Sequence, residues 1–229
     1  MSKPGAYSLY LYGSQGRGDE TSSSDCDVLV LVNSTADFDA KKFRLPSEVQ
    51  VGQGHLDLTF YSKERIREMN SVGHLFAWHL FLEANHLGVG PDVLSELGEP
   101  KSYSSFEDDC LPLLNILRSV PEEIEKCPGN LTYEAGLVHV ASRNIAMSAS
   151  YFTNDGVTFS AFAPYSRRWA CGDFPIPRAR YEVLRNARHA STRGVTPPHI
   201  EKRQLLDDVS VITKWAGCLY DGTARTINA

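Results

Sequence analysis

Two aspartates, Asp25 and Asp27, stand at the entrance to an apolar run, where their spacing can support metal chemistry. Residues two apart on a β-strand project from the same face, so these carboxylates can hold one or two divalent cations between them. A third carboxylate, Asp57, alternates with apolar residues in a later stretch that is typical of a strand. If the two strands pair, the three carboxylates converge and need metal or solvent around them. The donors are hard oxygens, so we predict a magnesium or manganese site.

A glycine–serine turn precedes these carboxylates and has the residue types that bind phosphate. Gly13 lets a polyphosphate approach the backbone, and the Ser14 hydroxyl and the amides that follow can donate hydrogen bonds to its oxygens. Arg17 adds a cation within reach of the same phosphates. A Gly-Ser pair alone is usually only a turn, and D-x-D alone is usually a solvent-exposed strand entrance. Their order along one chain, with a later strand aspartate, favours a site for a metal and a triphosphate.

The elements that must position these residues form a strand-rich first part of the chain. Residues 7–12 alternate and are rich in aromatic side chains, which predicts a strand that ends at the Gly-Ser turn. Residues 28–32 are a continuous valine and leucine run, typical of a strand buried on both faces. Residues 48–51 and 55–61 predict two further strands on either side of a hairpin-type turn at residues 52–54. We therefore expect one mixed β-sheet.

Helical patterns follow the strands. We expect a short helix around residues 38–43, in the connection between two strands, and a helix after Ser62, which is a favourable capping residue. Residues 75–87 are apolar with a period near 3.6 and end at Gly88, which predicts a largely buried helix. Four later stretches also have helical spacing: residues 106–118, 133–152, 181–189 and 200–220.

The order of these elements predicts two domains of different class. The overall fold class is α/β (α+β): residues 1–92 form a mixed sheet with flanking helices, and residues 93–229 form an all-α helical bundle. The boundary falls where glycine and proline punctuate residues 88–102.

Composition excludes several classes of protein. The 229 residues are 42% hydrophobic and include no apolar run near the roughly 20 residues that span a bilayer, so we expect no membrane association. Five cysteines, odd in number and without a C-x-x-C pair, argue against a disulfide framework and a structural zinc site. We therefore expect a cytoplasmic protein.

The net charge of -5 is unevenly distributed along the chain. Residues 165–203, the basic segment, carry nine Lys or Arg against three Asp or Glu, whereas the remainder carries 14 against 25. Arg185, Arg188 and Arg193 in this segment either form a solvated helix face, which we favour, or contact triphosphate or a nucleic-acid acceptor. We expect the segment to lie against the cleft, because three carboxylates beside a bound triphosphate need cations.

The motifs resemble those of a known superfamily. The sequence GSQGR at residues 13–17, followed by SDCD at residues 24–27, is similar to the signature of the polymerase-β-type nucleotidyltransferases. Asp57 stands where that pattern has its third carboxylate. The opening motif and the helical second half look most like the small single-chain members, the minimal and kanamycin nucleotidyltransferase-like enzymes. The resemblance covers residues 7–87.

This resemblance implies transfer of a nucleoside monophosphate, AMP in the expected case, from an NTP to a hydroxyl acceptor with pyrophosphate leaving. Asp25 and Asp27 would bind two metal ions, and Asp57 would complete the second metal site or accept the acceptor's proton. Ser14 and Arg17 would hold the β- and γ-phosphates. Catalysis would then rest on positioning and charge neutralisation.

One departure from the family concerns the start of the chain. The family places a helix before the first strand, whereas here only residues 1–6 precede it. We expect the C-terminal helices, or the second subunit of a homodimer, to cover the flank of the sheet instead. His79 and Glu83, four residues apart on a predicted helix, either support one another or face the cleft, and we favour the structural role.

Three kinds of function remain open from the sequence. A small-molecule enzyme would use an acidic cleft for a cationic acceptor such as an aminoglycoside-type antibiotic. Transfer onto a macromolecule, either an RNA 3′ end or a protein hydroxyl, would use the basic segment. A non-catalytic nucleotide-binding module would usually have lost its carboxylates, so the presence of all three favours an enzyme.

Overall fold

The chain divides into two compact units, Met1–Ser104 and Ser105–Ala229. The sequence-based boundary between residues 92 and 93 stays a prediction, and residues 93–104 lie with the first unit. The residues described by the computed structural model are 7–18, 25–47, 49 and 55–228.

Strands of the first unit form one mixed sheet, as the sequence predicts. Within the described residues they are β1 (Tyr7–Tyr12), β2 (Cys26–Val32), β3 (Leu56–Ser62) and β4 (Asn85–His86). Their order in the sheet is β3-β2-β1-β4. β2 runs antiparallel to β1 and parallel to β3, and β4 is antiparallel to β1. The strand predicted over residues 48–51 and the turn at 52–54 lie outside the described residues, except Val49, which belongs to no strand.

Helices of the described first unit are α1 (Gly13–Arg17), α2 (Lys63–Ser71), α3 (Leu75–Glu83) and α4 (Val93–Leu97). The predicted cap of α2 forms, because the Ser62 hydroxyl accepts a hydrogen bond from the Arg65 amide at 3.1 Å. The helix predicted over residues 75–87 is too long. α3 stops at Glu83 because the chain turns into β4, and the Leu87 amide then donates to the Leu9 carbonyl at 2.9 Å.

One face of the sheet packs against the helices of the first unit. Because side chains alternate along a strand, Leu29 and Leu31 of β2 lie on this face, where they pack in one buried cluster with Ile66 of α2 and Leu80 of α3. Such a strand, apolar on both faces, is the buried type that the valine and leucine run predicts. This cluster anchors the strand ends that carry the candidate site.

The opposite face of the sheet carries a second apolar cluster from within the first unit, while cover of the flank by the C-terminal helices or a second subunit stays a prediction. Phe38 and Phe43, from the connection between β2 and β3, each lie 5.7 Å, centroid to centroid, from the ring of Phe60 on β3. The short helix expected around residues 38–43 is absent from the described connection, which makes a turn there.

The described part of the second unit is helical, in agreement with the sequence. Its long helices are α5 (Phe106–Lys126), α6 (Leu131–Ser150), α7 (Arg178–Arg193) and α8 (Lys202–Ile227). α6 is the central helix and packs against α5, α7 and α8. Across the described residues of both units, no helix is both long and apolar enough to cross a membrane.

Candidate active site

The strand pairing places two of the predicted carboxylates side by side. In the parallel ladder of β2 and β3, Asp27 is the direct partner of Asp57. Directly paired residues on neighbouring strands share a face, and the strands lie about 4.8 Å apart. Asp25 immediately precedes β2, whose first amide, at Cys26, donates to the His55 carbonyl at 2.9 Å. The three carboxylates therefore lie at one end of the sheet, on the same edge of two adjacent strands.

The Gly-Ser turn lies against this carboxylate pair. Gly13 follows β1 directly and has a φ of +71°, a backbone conformation that favours glycine. A Cβ atom at Gly13 would stand 2.5 Å from Asp27 Oδ2, so only a glycine leaves the carboxylate where it is. Ser14 is the next residue, at the start of α1. The turn and the D-x-D motif, ten residues apart in sequence, thus form one surface.

The floor beside the carboxylates is made by two residues that the sequence analysis did not select. Tyr12 is 8% exposed, pairs with Asp27 across the β1–β2 ladder, and its hydroxyl lies 3.2 Å from Thr59 Oγ1. Burial, with the nearby charges of Asp27 and Asp57, raises the pKa of Tyr12 to about 12. The Tyr12 hydroxyl is therefore neutral at physiological pH and borders a negatively charged site. Tyr12 lies just before the Gly-Ser turn in sequence, and that position could have indicated that it borders the site.

The carboxylates suit a cation that is shared with a ligand. Among the residues that the structure describes, no group of three or more His, Cys, Asp or Glu side chains is arranged to hold a metal ion on its own. Magnesium commonly takes only one or two protein carboxylates and completes its shell with water and phosphate oxygens. The pairing of Asp27 with Asp57, and the close approach of the Asp27 carboxylate to Gly13, fit that kind of site.

Arg17 occupies a place that the sequence did not predict. Its Nη1 lies 2.6 Å from Oε2 of Glu83, and that same oxygen lies 2.8 Å from His79 Nε2. The Glu83 side chain is only 7% exposed, so these contacts compensate a buried charge. The predicted support between His79 and Glu83 is thus present. Arg17 as a phosphate ligand stays a prediction.

Two further contacts hold α1 in place. A Cβ atom at Gly16 would stand 2.5 Å from the Glu83 carbonyl oxygen, so the helix end approaches α3 as closely as a glycine permits. The Asn85 side-chain amide donates to the Gly16 carbonyl at 2.8 Å. The Gly-Ser turn is therefore fixed at both ends, by β1 before it and by α3 and β4 after it.

Comparison with known proteins identifies the class. Residues 2–75 match the sequence model of the nucleotidyltransferase domain family. The match spans the Gly-Ser turn, the D-x-D motif and the strand that carries Asp57, and it covers most of the first unit. The first unit therefore carries a nucleotidyltransferase domain, with the motifs of the polymerase-β-type superfamily.

Individual proteins resemble the chain much less. No curated protein sequence matches it. Among solved structures, a spectinomycin adenyltransferase, AAD(9), from Enterococcus faecialis, with ATP and spectinomycin, matches with a TM-score of 0.46 and 11% sequence identity. The match covers 94% of this chain and 93% of that one. A similarity at this level carries no argument about the acceptor.

Proposed function

We propose that the protein transfers a nucleoside monophosphate from an NTP, with ATP as the donor, to a hydroxyl group of an acceptor, in a reaction that depends on Mg²⁺ or Mn²⁺ and releases pyrophosphate. The observation that carries the proposal is the direct pairing of Asp27 with Asp57 beside Gly13. Two carboxylates next to a glycine turn offer oxygen ligands for a cation and backbone space for a triphosphate in one place.

The carboxylates divide the metal-binding work in this proposal. Asp25 and Asp27 would hold the cation on the side of the triphosphate, and Asp57 would complete the acceptor side. A divalent cation bound there would offset the charge of the triphosphate and lower the pKa of the acceptor hydroxyl. The donor chemistry supports magnesium or manganese rather than zinc, because every proposed ligand is a carboxylate oxygen.

The chain's own groups supply the remaining steps. Gly13 opens the backbone to the β- and γ-phosphates, to which the Ser14 hydroxyl donates. The acceptor oxygen attacks the α-phosphorus, the bond to the pyrophosphate oxygen breaks, and Asp57 accepts the acceptor's proton. Tyr12 keeps its own proton and excludes water from the floor of the site. Positioning and charge neutralisation account for most of the acceleration in such phosphoryl transfers.

The acceptor is the least constrained part of the proposal. A small hydroxyl compound such as an aminoglycoside-type antibiotic is the first class that we propose, and an RNA 3′ end or a protein hydroxyl is the second. Residues of the second unit would choose between them, since the nucleotidyltransferase domain carries the chemistry and not the acceptor's identity.

Labelled nucleotides test the proposed reaction. The protein is incubated with MgCl₂, an acceptor panel of the three classes, and ATP labelled either at the α- or at the γ-phosphate. We expect the α-label to move to one acceptor, pyrophosphate to appear in equal amount, and EDTA to stop both. Transfer of the γ-label instead would identify a kinase and overturn the proposal. Retention of α-label transfer by Asp57→Asn would remove Asp57 from the reaction.

A further inference from the structure

Helices α6 and α7 of the second unit meet along a seam that has an unusual charge. A Cβ atom at Gly136 would stand 3.0 Å from the Cα atom of Arg188, so the two backbones nearly touch there. Further along, the rings of His139 and Tyr181 lie 4.9 Å apart, centroid to centroid. Residue numbers rise along α6 as they fall along α7, so the helices are antiparallel. The seam is therefore set by close backbone packing.

Several positively charged side chains converge on this seam. On α6, Arg143 follows His139 by four residues, which places both on one face. On α7, Arg185 and Arg188 are three residues apart and both half-buried. We call His139, Arg143, Arg185, Arg188 and the neighbouring His189 the cationic seam.

His139 is buried among the positive charges of the cationic seam. It is 6% exposed, and among the described residues its Nδ1 has no hydrogen-bond partner. Burial, followed by the charges of Arg143, Arg185, His189 and Arg188, lowers the pKa of His139 to about 3. The charged neighbours that act on this imidazole all bear positive or potentially positive charge.

Most other cations of the basic segment are already compensated within the fold. Arg180 lies 2.5 Å from the buried carboxylate of Asp208, and Lys202 lies 2.8 Å from Glu125. The Arg167 side chain, 8% exposed, donates to the Gly156 carbonyl at 2.8 Å. These side chains have structural roles that need no ligand.

Arg185 and Arg188 differ from these cations. Within the part of the chain that the structure describes, neither side chain makes a hydrogen bond or an ion pair. The Arg185 guanidinium lies 5.4 Å from the ring centroid of Phe162, which also contacts Arg178 at 4.0 Å. These two guanidinium groups therefore have free donors that an anionic ligand could accept from.

We propose that Arg185 and Arg188 form a binding site for a phosphate-type oxyanion at the cationic seam. A guanidinium group presents a planar fork that matches two phosphate oxygens, and Phe162 restrains one of the two forks before the ligand arrives. The site consists of residues of the second unit and involves none of the three carboxylates. It therefore goes beyond the proposed transfer reaction. The phosphate can belong to a free ion or to the backbone of RNA, and the two sources are separated by experiment.

A charge-matched pair of double variants tests the site. Arg185→Gln/Arg188→Gln removes two cations from the seam, and Arg168→Gln/Arg203→Gln removes two exposed cations from the same basic segment. Binding of inorganic phosphate is measured by calorimetry, and binding of a single-stranded RNA oligonucleotide by fluorescence anisotropy at two salt concentrations. No NTP is present, so the result is independent of whether transfer occurs.

We expect the seam variant to lose roughly tenfold or more in affinity and the exposed variant to lose less than about threefold. If the seam variant loses affinity for inorganic phosphate, the site binds a free ion. If it loses affinity for RNA alone, and the slope of log affinity against log salt concentration falls by about 1 to 2, the site binds RNA. Equal losses in both variants, or binding of neither probe by the wild type, would overturn the proposal. If the seam variant does not fold, Arg185→Lys/Arg188→Lys keeps the charge and should still lose affinity, because lysine lacks the fork.

Discussion

The ion-pair network beside the Gly-Ser turn makes a strong prediction about stability. Glu83 accepts from Arg17 at 2.6 Å and contacts His79 at 2.8 Å, and it is the buried carboxylate that joins α1 to α3. Glu83→Gln keeps the size of the side chain but removes its charge. It removes the negative charge that Arg17 and His79 both contact.

The magnitude follows from burial. Removing one partner of a buried pair costs about 3 to 5 kcal/mol, since the other charge is left without compensation. The Arg17 side chain is 23% exposed, so water recovers part of that loss, and the glutamine oxygen still accepts one hydrogen bond. We therefore expect Glu83→Gln to lower the free energy of unfolding of the first unit by about 2 to 3 kcal/mol.

A matched control exists on α2. Arg65 and Glu68 form an ion pair at 3.0 Å in which both side chains are more than half exposed, and Glu68→Gln should cost less than about 1 kcal/mol. Urea unfolding followed by circular dichroism measures both variants at the same pH and salt. If the two substitutions cost the same within about 0.5 kcal/mol, Glu83 does not hold α1 in the way that its contacts suggest.

Three further predictions concern the site itself. Gly13→Ala and Gly18→Ala both force alanine to a positive φ, of 71° and 74°, and should each cost about 1 to 2 kcal/mol in thermal unfolding. Only Gly13→Ala should also weaken MgATP in calorimetry, because its Cβ meets Asp27 whereas that of Gly18 meets nothing within 4 Å; equal MgATP affinities would contradict this. Asp57→Asn should keep MgATP affinity and lose at least about 100-fold in α-label transfer, and a parallel loss of both would place Asp57 in nucleotide binding or in the fold. Because the pKa of Tyr12 is raised from 10.0 to about 12, its share of stability is complete below pH 10 and is lost as pH rises toward 12. Between pH 9 and 12 the free energy of unfolding of Tyr12→Phe should therefore fall by about 2 to 3 kcal/mol less than that of the wild type, as measured by urea unfolding. An identical pH dependence of the two proteins would refute the burial of this hydroxyl.

Local patterns in the sequence were sufficient for most elements. Alternation predicted β1, the continuous apolar run predicted β2, and Ser62 predicted the start of α2. Each of these elements is determined by residues that are close together in sequence. The predicted end of α3 was wrong because it depends on a contact between residues that are distant in sequence. Apolar periodicity continues to residue 87, but pairing with residues of β1 that lie 74 and 76 positions away in sequence draws residues 85–86 into a strand.

Contacts between distant segments were beyond the sequence patterns. The Gly-Ser turn and the D-x-D motif could be connected, because β1 and β2 are neighbours in sequence. The pairing of Arg17 with Glu83 and the contact of Tyr12 with Thr59 span 66 and 47 residues. They depend on the order of the strands in the sheet and on their register, which single-sequence patterns do not encode. The aromatic cover from Phe38 and Phe43 was missed for the same reason.

Calorimetric titration of MgATP tests the central claim most directly, and the chain contains its own control. Asp25 and Asp27 form the proposed D-x-D site, whereas Asp37 and Asp39 form a second, exposed D-x-D in the connection after β2. The account predicts that Asp25→Asn/Asp27→Asn abolishes metal-dependent ATP affinity and that Asp37→Asn/Asp39→Asn leaves it at the wild-type value. Unchanged magnesium-dependent affinity in the first double variant would contradict the account.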